Sequence, residues 1–370
     1  MNVPFLDLKS QYLRLKPEIE EVLADIFEHS AFICGKYVGL FEKEFAAALG
    51  AKRFVATSSG TDAVHLMLWA AGIGAGDEII VPVNTFIATA EGVSLCGATP
   101  VFVDNDRISL NIDIGRIEEK ITPRTKAILP VHLYGQPVNM DNINDIASRH
   151  GLMVFEDACQ AHLARFRGKA VGNFGTAAAF SFFPGKNLGA YGEAGGISTN
   201  DEDLYQKILR MHGHGSVERC VHEIIGHNYR MEEIQAAVLV VKLKYLEIWN
   251  ARRRQIADLY RSLLADLKEV ICPVESAEAY HIYHLFVVRV PAGKRDKLRE
   301  FLQERNIATG LHYPIPIHLQ KAYAHLGHKK GDFPVAERQA NEILSLPICP
   351  EMKDEQGEYV SANIRKYFRG

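Results

Sequence analysis

Between residues 50 and 200, short apolar runs alternate with turns and with stretches of helical periodicity. The runs Phe54–Thr57, Glu78–Val83, Pro100–Val103, Lys126–Val131, Leu152–Phe155, Ala177–Phe182 and Gly195–Thr199 read as strands. Most are continuously apolar rather than alternating, as expected of strands covered on both faces. Helical pieces fit between them, for example Asp62–Ala71 and Met140–His150. This alternation predicts an α/β fold with a mostly parallel sheet and right-handed crossovers. Near Met231 the texture changes. The segment MEEIQAAVLVVKLKYLEIWNARRRQIADLYRSLLADL keeps apolar residues at helical spacing without Gly or Pro, and predicts one long helix or a bent helix pair. Beyond it, His284–Val290 reads as a strand, Lys294–Arg305 as an amphipathic helix, and HYPIPIHLQ as a proline-broken loop. The expected organisation is a large α/β domain over residues 1–249 and a smaller α+β C-terminal domain over 250–370.

A chain of 370 residues has room for both units. Its formal net charge of −3 argues against a nucleic-acid partner and against a polybasic membrane anchor. The longest stretch without Asp, Glu, Lys or Arg runs over 170–185 and contains three glycines and a proline, short of the ~20 apolar residues a membrane span needs. Asp7 and Lys9 stand where a signal peptide would need an apolar core. The six cysteines are scattered and include no C-x-x-C pair, which predicts free thiols in a reducing cytoplasm.

Several apparent motifs fail on spacing. In HEIIGH the histidines, His222 and His227, are five residues apart and fall on different helical faces, whereas a zinc-protease helix needs four. His325 and His328 have no third ligand nearby. GIGAGDE precedes a strand instead of following one, and Gly185-Lys186 is followed by Asn187 rather than Ser or Thr.

Four segments remain, each just past a strand's carboxyl end, where open α/β sheets bind ligands. In Thr57-Ser58-Ser59-Gly60-Thr61-Asp62 a strand gives way to a helix, so backbone N–H groups face an anion site; plain N-capping by Thr61 or Asp62 accounts for the same residues. Asn84-Thr85-Phe86 brings an aromatic to a strand exit, where it can stack on a flat ring, although singly a core role is commoner for Phe. In LMVFEDACQAH, Glu156 and Asp157 end a buried run, and an acid there is costly unless paired. Cys159 reads as small buried packing. In AAAFSFFPGKNLGAYGEAGG, Lys186 has no charged neighbour within six residues on either side. Apolar, glycine-lined surroundings disfavour its ammonium and make the amine nucleophilic. Anion cradle, stacking ring, carboxylate and isolated lysine together are what pyridoxal 5′-phosphate requires: a carboxylate facing the pyridine nitrogen shifts its pKa by ~1–3 units and keeps the ring an electron sink.

SSGTDAV, VPVNTFIATAEGV, VHLYGQPVNM, EDACQAH, FSFFPGKNLGAYGEAGG and GHNYRMEEIQAAVLVVKLKYLEIWNARR, in this order, resemble the DegT/StrS family of nucleotide-sugar aminotransferases, over about Phe5 to Pro350. The resemblance implies the fold-type I, aspartate-aminotransferase-like architecture of pyridoxal-phosphate enzymes. It implies that Lys186 holds the cofactor as a Schiff base and shuttles the proton, that Asp157 pairs with the pyridine nitrogen, and that Gln160 bonds the ring hydroxyl. By the same resemblance Phe86 stacks on the ring, and Gly60, Thr61 and Ser181 hold the phosphate, with Ser59 counted among the cofactor-binding residues. Asn228 would reach the phosphate from the other subunit of a homodimer whose active sites lie at the interface. His312 and Tyr313 match a segment that lines the sugar pocket. Lys186 speaks against the sugar dehydratase branch, which carries a His there.

Phe-Pro-Gly-Lys-Asn-Leu-Gly resembles the branch acting on 3-keto sugars, so the implied reaction moves an amino group from L-glutamate to C3 of a TDP-linked keto-deoxysugar. Transamination at C4 and UDP- or GDP-linked keto sugars stay open as alternatives, as do elimination or dehydration on the same fold and a non-catalytic cofactor-binding regulator. Cys159, Leu163 and Ala194 depart from the family's usual Ala, Gly and Gly. They remove no chemical group but reshape the pocket floor.

Overall fold

The seven apolar runs between residues 50 and 200 pair into one sheet in the computed structural model, which describes residues 1–218 and 220–370. Its strands are β1 (Arg53–Thr57), β2 (Glu78–Pro82), β3 (Thr99–Val103), β4 (Thr125–Ile128), β5 (Met153–Asp157), β8 (Ala177–Ser181) and β9 (Gly195–Thr199), in the order β1-β9-β8-β5-β4-β2-β3. Two short strands, β6 (Arg165–Phe166) and β7 (Lys169–Ala170), intervene in sequence and form a separate ribbon. β9 is antiparallel to both neighbours, and the pairings among β8, β5, β4, β2 and β3 are parallel. Pro100 sits in β3 at the sheet's edge, where a missing N–H is tolerated. β4 ends at Ile128, three residues before the expected end, although the next residues stay against its neighbours: the Leu129 amide donates to the Ile80 carbonyl at 2.8 Å and Val131 bridges in parallel to Asp157.

The helices are α1 (Leu8–His29), α2 (Lys36–Leu49), α3 (Gly60–Ala70), α4 (Ala88–Leu95), α5 (Met140–His150), α6 (Glu202–His212), α7 (Glu233–Leu243) and α8 (Leu246–Leu264). They cover both faces of the sheet. Val55, Ala177 and Ala179 pack into a core with Leu66 and Met67 of α3, while Phe54, Ala178 and Phe180 alternate to the other face and join Phe41 and Phe45 of α2. The long helical run after Met231 is a bent pair, α7 and α8, broken at Lys244-Tyr245. A hairpin of β10 (Ser216–Glu218) and β11 (Val221–His222) projects before α7, and β12 (Ala279–Tyr280) pairs with β6. A further core gathers Tyr260, Phe286, Leu298, Leu344 and Ile364 from α8, β13 (Phe286–Arg289), α9 (Arg295–Gln303), β14 (Ile343–Leu346) and α11 (Asp354–Arg369); α10 (Pro334–Glu342) precedes β14. No described helix is long and apolar enough to cross a membrane.

Strand periodicity separates the two acids that end β5. Glu156 is fully buried: Oε2 accepts from His132 Nε2 at 3.0 Å and the Gly172 amide at 2.8 Å, and Oε1 from the Phe174 and Gly175 amides at 2.7 and 3.0 Å. His132 Nδ1 accepts from the Val138 amide at 3.0 Å, so the ring's N–H points at Glu156. Burial works to raise the Glu156 pKa, but these donors prevail and hold it below the usual carboxylate value. Glu156 is therefore a structural hub rather than a ligand group. Glu156→Ala strands four donors in the interior and is expected to cost about 3–5 kcal/mol, read from the urea midpoint; a cost below ~1 kcal/mol would contradict this assignment.

Candidate active site

β1 delivers the chain to the start of α3. Ser59 caps that helix, its Oγ accepting from the Asp62 amide at 3.1 Å, so the cap falls before the expected Thr61 or Asp62 and the helix opens at Gly60. Ser58 and Ser59 hydroxyls donate to Asp62 Oδ2 at 2.6 and 2.8 Å. Two glycines make the approach of α3 to the sheet possible. A Cβ on Gly60 would lie 2.5 Å from Ser181 Cβ, and one on Gly195 would lie 2.2 Å from the Ser59 carbonyl. The first amides of α3 have no acceptor within the helix and open beside the end of β8, a cradle for a phosphate.

Asp157 and Lys186 meet because of the antiparallel turn. A crossover helix would carry the chain to the other end of the sheet, but β8 and β9 are antiparallel neighbours, so residues 182–194 stay at the carboxyl end of β8. β5 is the parallel neighbour of β8, with Asp157 opposite Ala179. Both side chains line one cavity of about 850 Å³. Asp157 is held rigidly: Oδ2 accepts from Thr89 Oγ1 at 2.7 Å and Oδ1 from the Cys159 amide at 3.1 Å. Burial lowers the Lys186 pKa, opposed by the charge of Asp157. Among the described residues Lys186 Nζ forms no ion pair within 4.0 Å, and it opens on the same cavity as the acid. Burial also drives the Cys159 thiol well above its ordinary value, so it stays protonated packing.

The remaining expected residues gather around that space. Ser59, Gly60, Thr61, Phe86, Gln160, Ser181, His312 and Tyr313 all line the cavity. Phe86 is 53% exposed, unlike a core phenylalanine, and its ring lies 5.7 Å from that of Tyr313. Gln160 Oε1 accepts from the Tyr134 amide at 2.8 Å, and its Nε2 donates to the Tyr313 hydroxyl at 3.0 Å. Tyr134 in turn donates to the His312 carbonyl. Burial and the charge of Lys186 lower the His312 pKa to about 4. Asn228 is the exception. It is exposed, bridges to Gly213, and does not line its own chain's cavity. Thr89, inside VPVNTFIATAEGV, and His284 belong to the site but were not singled out as site residues. Thr89 lies in the first turn of α4, three residues after Phe86, and lines the same cavity.

The residues fit a phosphorylated aromatic aldehyde. A desolvated amine without a protein ion-pair partner suits the carbonyl, a rigid carboxylate suits a ring N–H, an exposed phenyl suits the ring face, and the α3 cradle suits the phosphate.

Comparison with known proteins agrees in fold and sequence. The model of the DegT/DnrJ/EryC1/StrS aminotransferase family matches residues 14–365. The chain is 48% identical to a pleiotropic regulatory protein of Geobacillus stearothermophilus, covering 100% of this chain and 99% of the relative. It is 43% identical to a dTDP-3-amino-3,4,6-trideoxy-alpha-D-glucose transaminase of Streptomyces venezuelae, covering 99% and 96%. A crystal structure of S. venezuelae DesV in complex with a ketimine intermediate superposes with a TM-score of 0.96 at 43% identity, covering 99% of this chain and 98% of that one. With a fold and a sequence shared along nearly its whole length, this chain belongs to the DegT/DnrJ/EryC1/StrS aminotransferase family.

Proposed function

We propose that this enzyme is a pyridoxal-phosphate aminotransferase that moves an amino group from L-glutamate to the C3 keto group of a TDP-linked keto-deoxysugar. The carrying observation is that Asp157 and Lys186 share one cavity while remaining free of each other. Similarity to a dTDP-3-amino-sugar transaminase supports the substrate class. The bound cofactor supplies an electron sink conjugated to the substrate carbon. Lys186 anchors it and moves the proton between substrate and cofactor carbons; Asp157, fixed by Thr89 and the Cys159 amide, holds the pyridine nitrogen protonated. Phe86 covers the ring, Gln160 faces the ring hydroxyl, and Ser59, Gly60, Thr61 and Ser181 hold the phosphate. His312 and Tyr313 wall the sugar pocket.

The active species is a homodimer in which Asn228 completes the neighbouring subunit's phosphate site. Exposed Val217, Val221, Ile224 and Ile225 around the β10–β11 hairpin support this, Ile225 being 79% exposed. We read residues 1–249 as a large cofactor-binding domain and 250–370 as a small one. Along α8, Leu246 packs with the sheet's core and Ile256, Tyr260 and Leu264 with the C-terminal core, which supports a boundary near 250; Val3 packs with the latter core too. Six unpaired thiols suit a reducing cytoplasm.

A cofactor-binding regulator without turnover is the competing reading, raised by the description of the Geobacillus relative. The chain's net charge of −3 offers no basic stripe for the nucleic acid such a regulator would bind, which favours turnover. Purified dimeric protein is expected to be yellow, to bleach with L-glutamate, and to recover its colour when a TDP-3-keto-deoxysugar is added and a product gaining an amine appears by mass spectrometry. Colour unresponsive to any amino donor overturns the assignment; preference for UDP- or GDP-linked sugars, or amination at C4, overturns only the substrate.

A further inference from the structure

A polar chain behind Lys186 ends on a histidine that the roles above do not use. Asn250 Nδ2 donates to the His162 carbonyl at 2.9 Å, which leaves Asn250 Oδ1 to accept from Asn187 Nδ2 at 2.8 Å. Asn187 Nδ2 also donates to the Ile282 carbonyl at 3.1 Å. Backbone carbonyls can only accept, so the orientation of both amides is fixed. Asn187 Oδ1 must therefore face His284 Nδ1, 3.2 Å away, and that nitrogen must donate. The proton sits on Nδ1, and Nε2 carries a bare lone pair. His284 lines the cavity beside Lys186, and its Nε2 bonds to no protein group among the described residues.

The surroundings select what that lone pair can meet. Burial, and then the charges of Lys186 and Arg253, hold His284 well below the ordinary imidazole pKa, so it stays an acceptor. His312, nearby, is held neutral for similar reasons. No arginine lines the cavity among the described residues. A bare imidazole lone pair beside a second neutral imidazole suits a hydroxyl donor.

We propose that His284 is a specificity-determining residue whose Nε2 accepts a hydrogen bond from a hydroxyl of the keto sugar adjacent to the carbon being aminated. The inference rests on the function proposed above, and the two half-reactions separate them. With His284→Phe, bleaching by L-glutamate is expected to stay within about 3-fold of wild type, while kcat/KM for the TDP-keto sugar in the return half-reaction falls about 10–100-fold. His284→Gln, which keeps an acceptor, recovers part of the loss. The wild-type enzyme gives the same answer without a substitution. A sugar analogue lacking the adjacent hydroxyl loses a similar factor, and His284→Phe no longer distinguishes it from the parent sugar. Wild-type protein unresponsive to glutamate overturns the reading beneath both. A responsive enzyme in which His284→Phe impairs both half-reactions equally, or neither, overturns the role of His284 alone.

Discussion

Lys186→Ala is expected to abolish turnover, lowering kcat by about 10⁴-fold or more, because the amine acts both as the covalent anchor and as the proton carrier. The fold is expected to survive. Among the described residues Lys186 forms no ion pair, so its removal leaves no acid stranded in the interior, and the cavity wall of Phe86, Gln160 and Tyr313 does not depend on it. Stability should even gain in the cofactor-free protein. Burial depresses the folded-state pKa of Lys186 below its unfolded value, so the unfolded chain binds the extra proton more readily. Wild-type stability then rises with pH through the window between that depressed pKa and 10.5, the lysine's ordinary value, and the variant lacks this rise. Thermal melting across pH reads the stability difference, and single-turnover assays with glutamate and keto sugar read the chemistry. Wild-type-like activity in Lys186→Ala would falsify the assignment of this lysine.

Much of this site was legible along the chain, and the reasons are local. Lys186 stands in a charge-free, glycine-rich stretch, and Asp157 follows an apolar run that reads as a buried strand. Such signals depend on a dozen neighbouring residues. What no spacing revealed is that the two face one space. That follows from the antiparallel placement of β9 beside β8, a tertiary choice that keeps residues 182–194 at one end of the sheet. The same limit hid the supporting residues. Thr89 lies 68 positions from Asp157, and Asn187 lies 97 from His284. The helix cap was misplaced for a subtler reason. Ser58, Ser59, Thr61 and Asp62 are all competent caps, and Gly60 decides between them, since only glycine fits against Ser181 and lets α3 begin there. Glu156 shows the converse: beside Asp157 it read as an equal candidate, yet a period of two turns it to the opposite face, where His132 and three amides absorb its charge.

Asp157→Asn is the substitution that isolates charge from shape. Asparagine can keep the network: its oxygen accepts from the Cys159 amide, and its Nδ2 donates to Thr89 Oγ1, whose hydroxyl then turns to Thr85 Oγ1, 3.1 Å away. Melting temperature and cofactor content are therefore expected to stay near wild type. Turnover is expected to fall about 10²–10³-fold, the usual consequence of removing one preorganised electrostatic contact to a developing charge. A neutral amide cannot hold the pyridine nitrogen protonated, whereas a carboxylate at that position shifts such a pKa by ~1–3 units. Measuring kcat for the overall reaction together with the rate of glutamate bleaching places the loss. Both half-reactions should slow by a similar factor, because the protonated ring serves each, and this separates Asp157 from a sugar-binding residue. A loss of less than ~10-fold with full cofactor content would mean that the acid does not face the ring nitrogen. A comparable loss accompanied by cofactor release would make Asp157 a binding group whose charge plays no part in the chemistry.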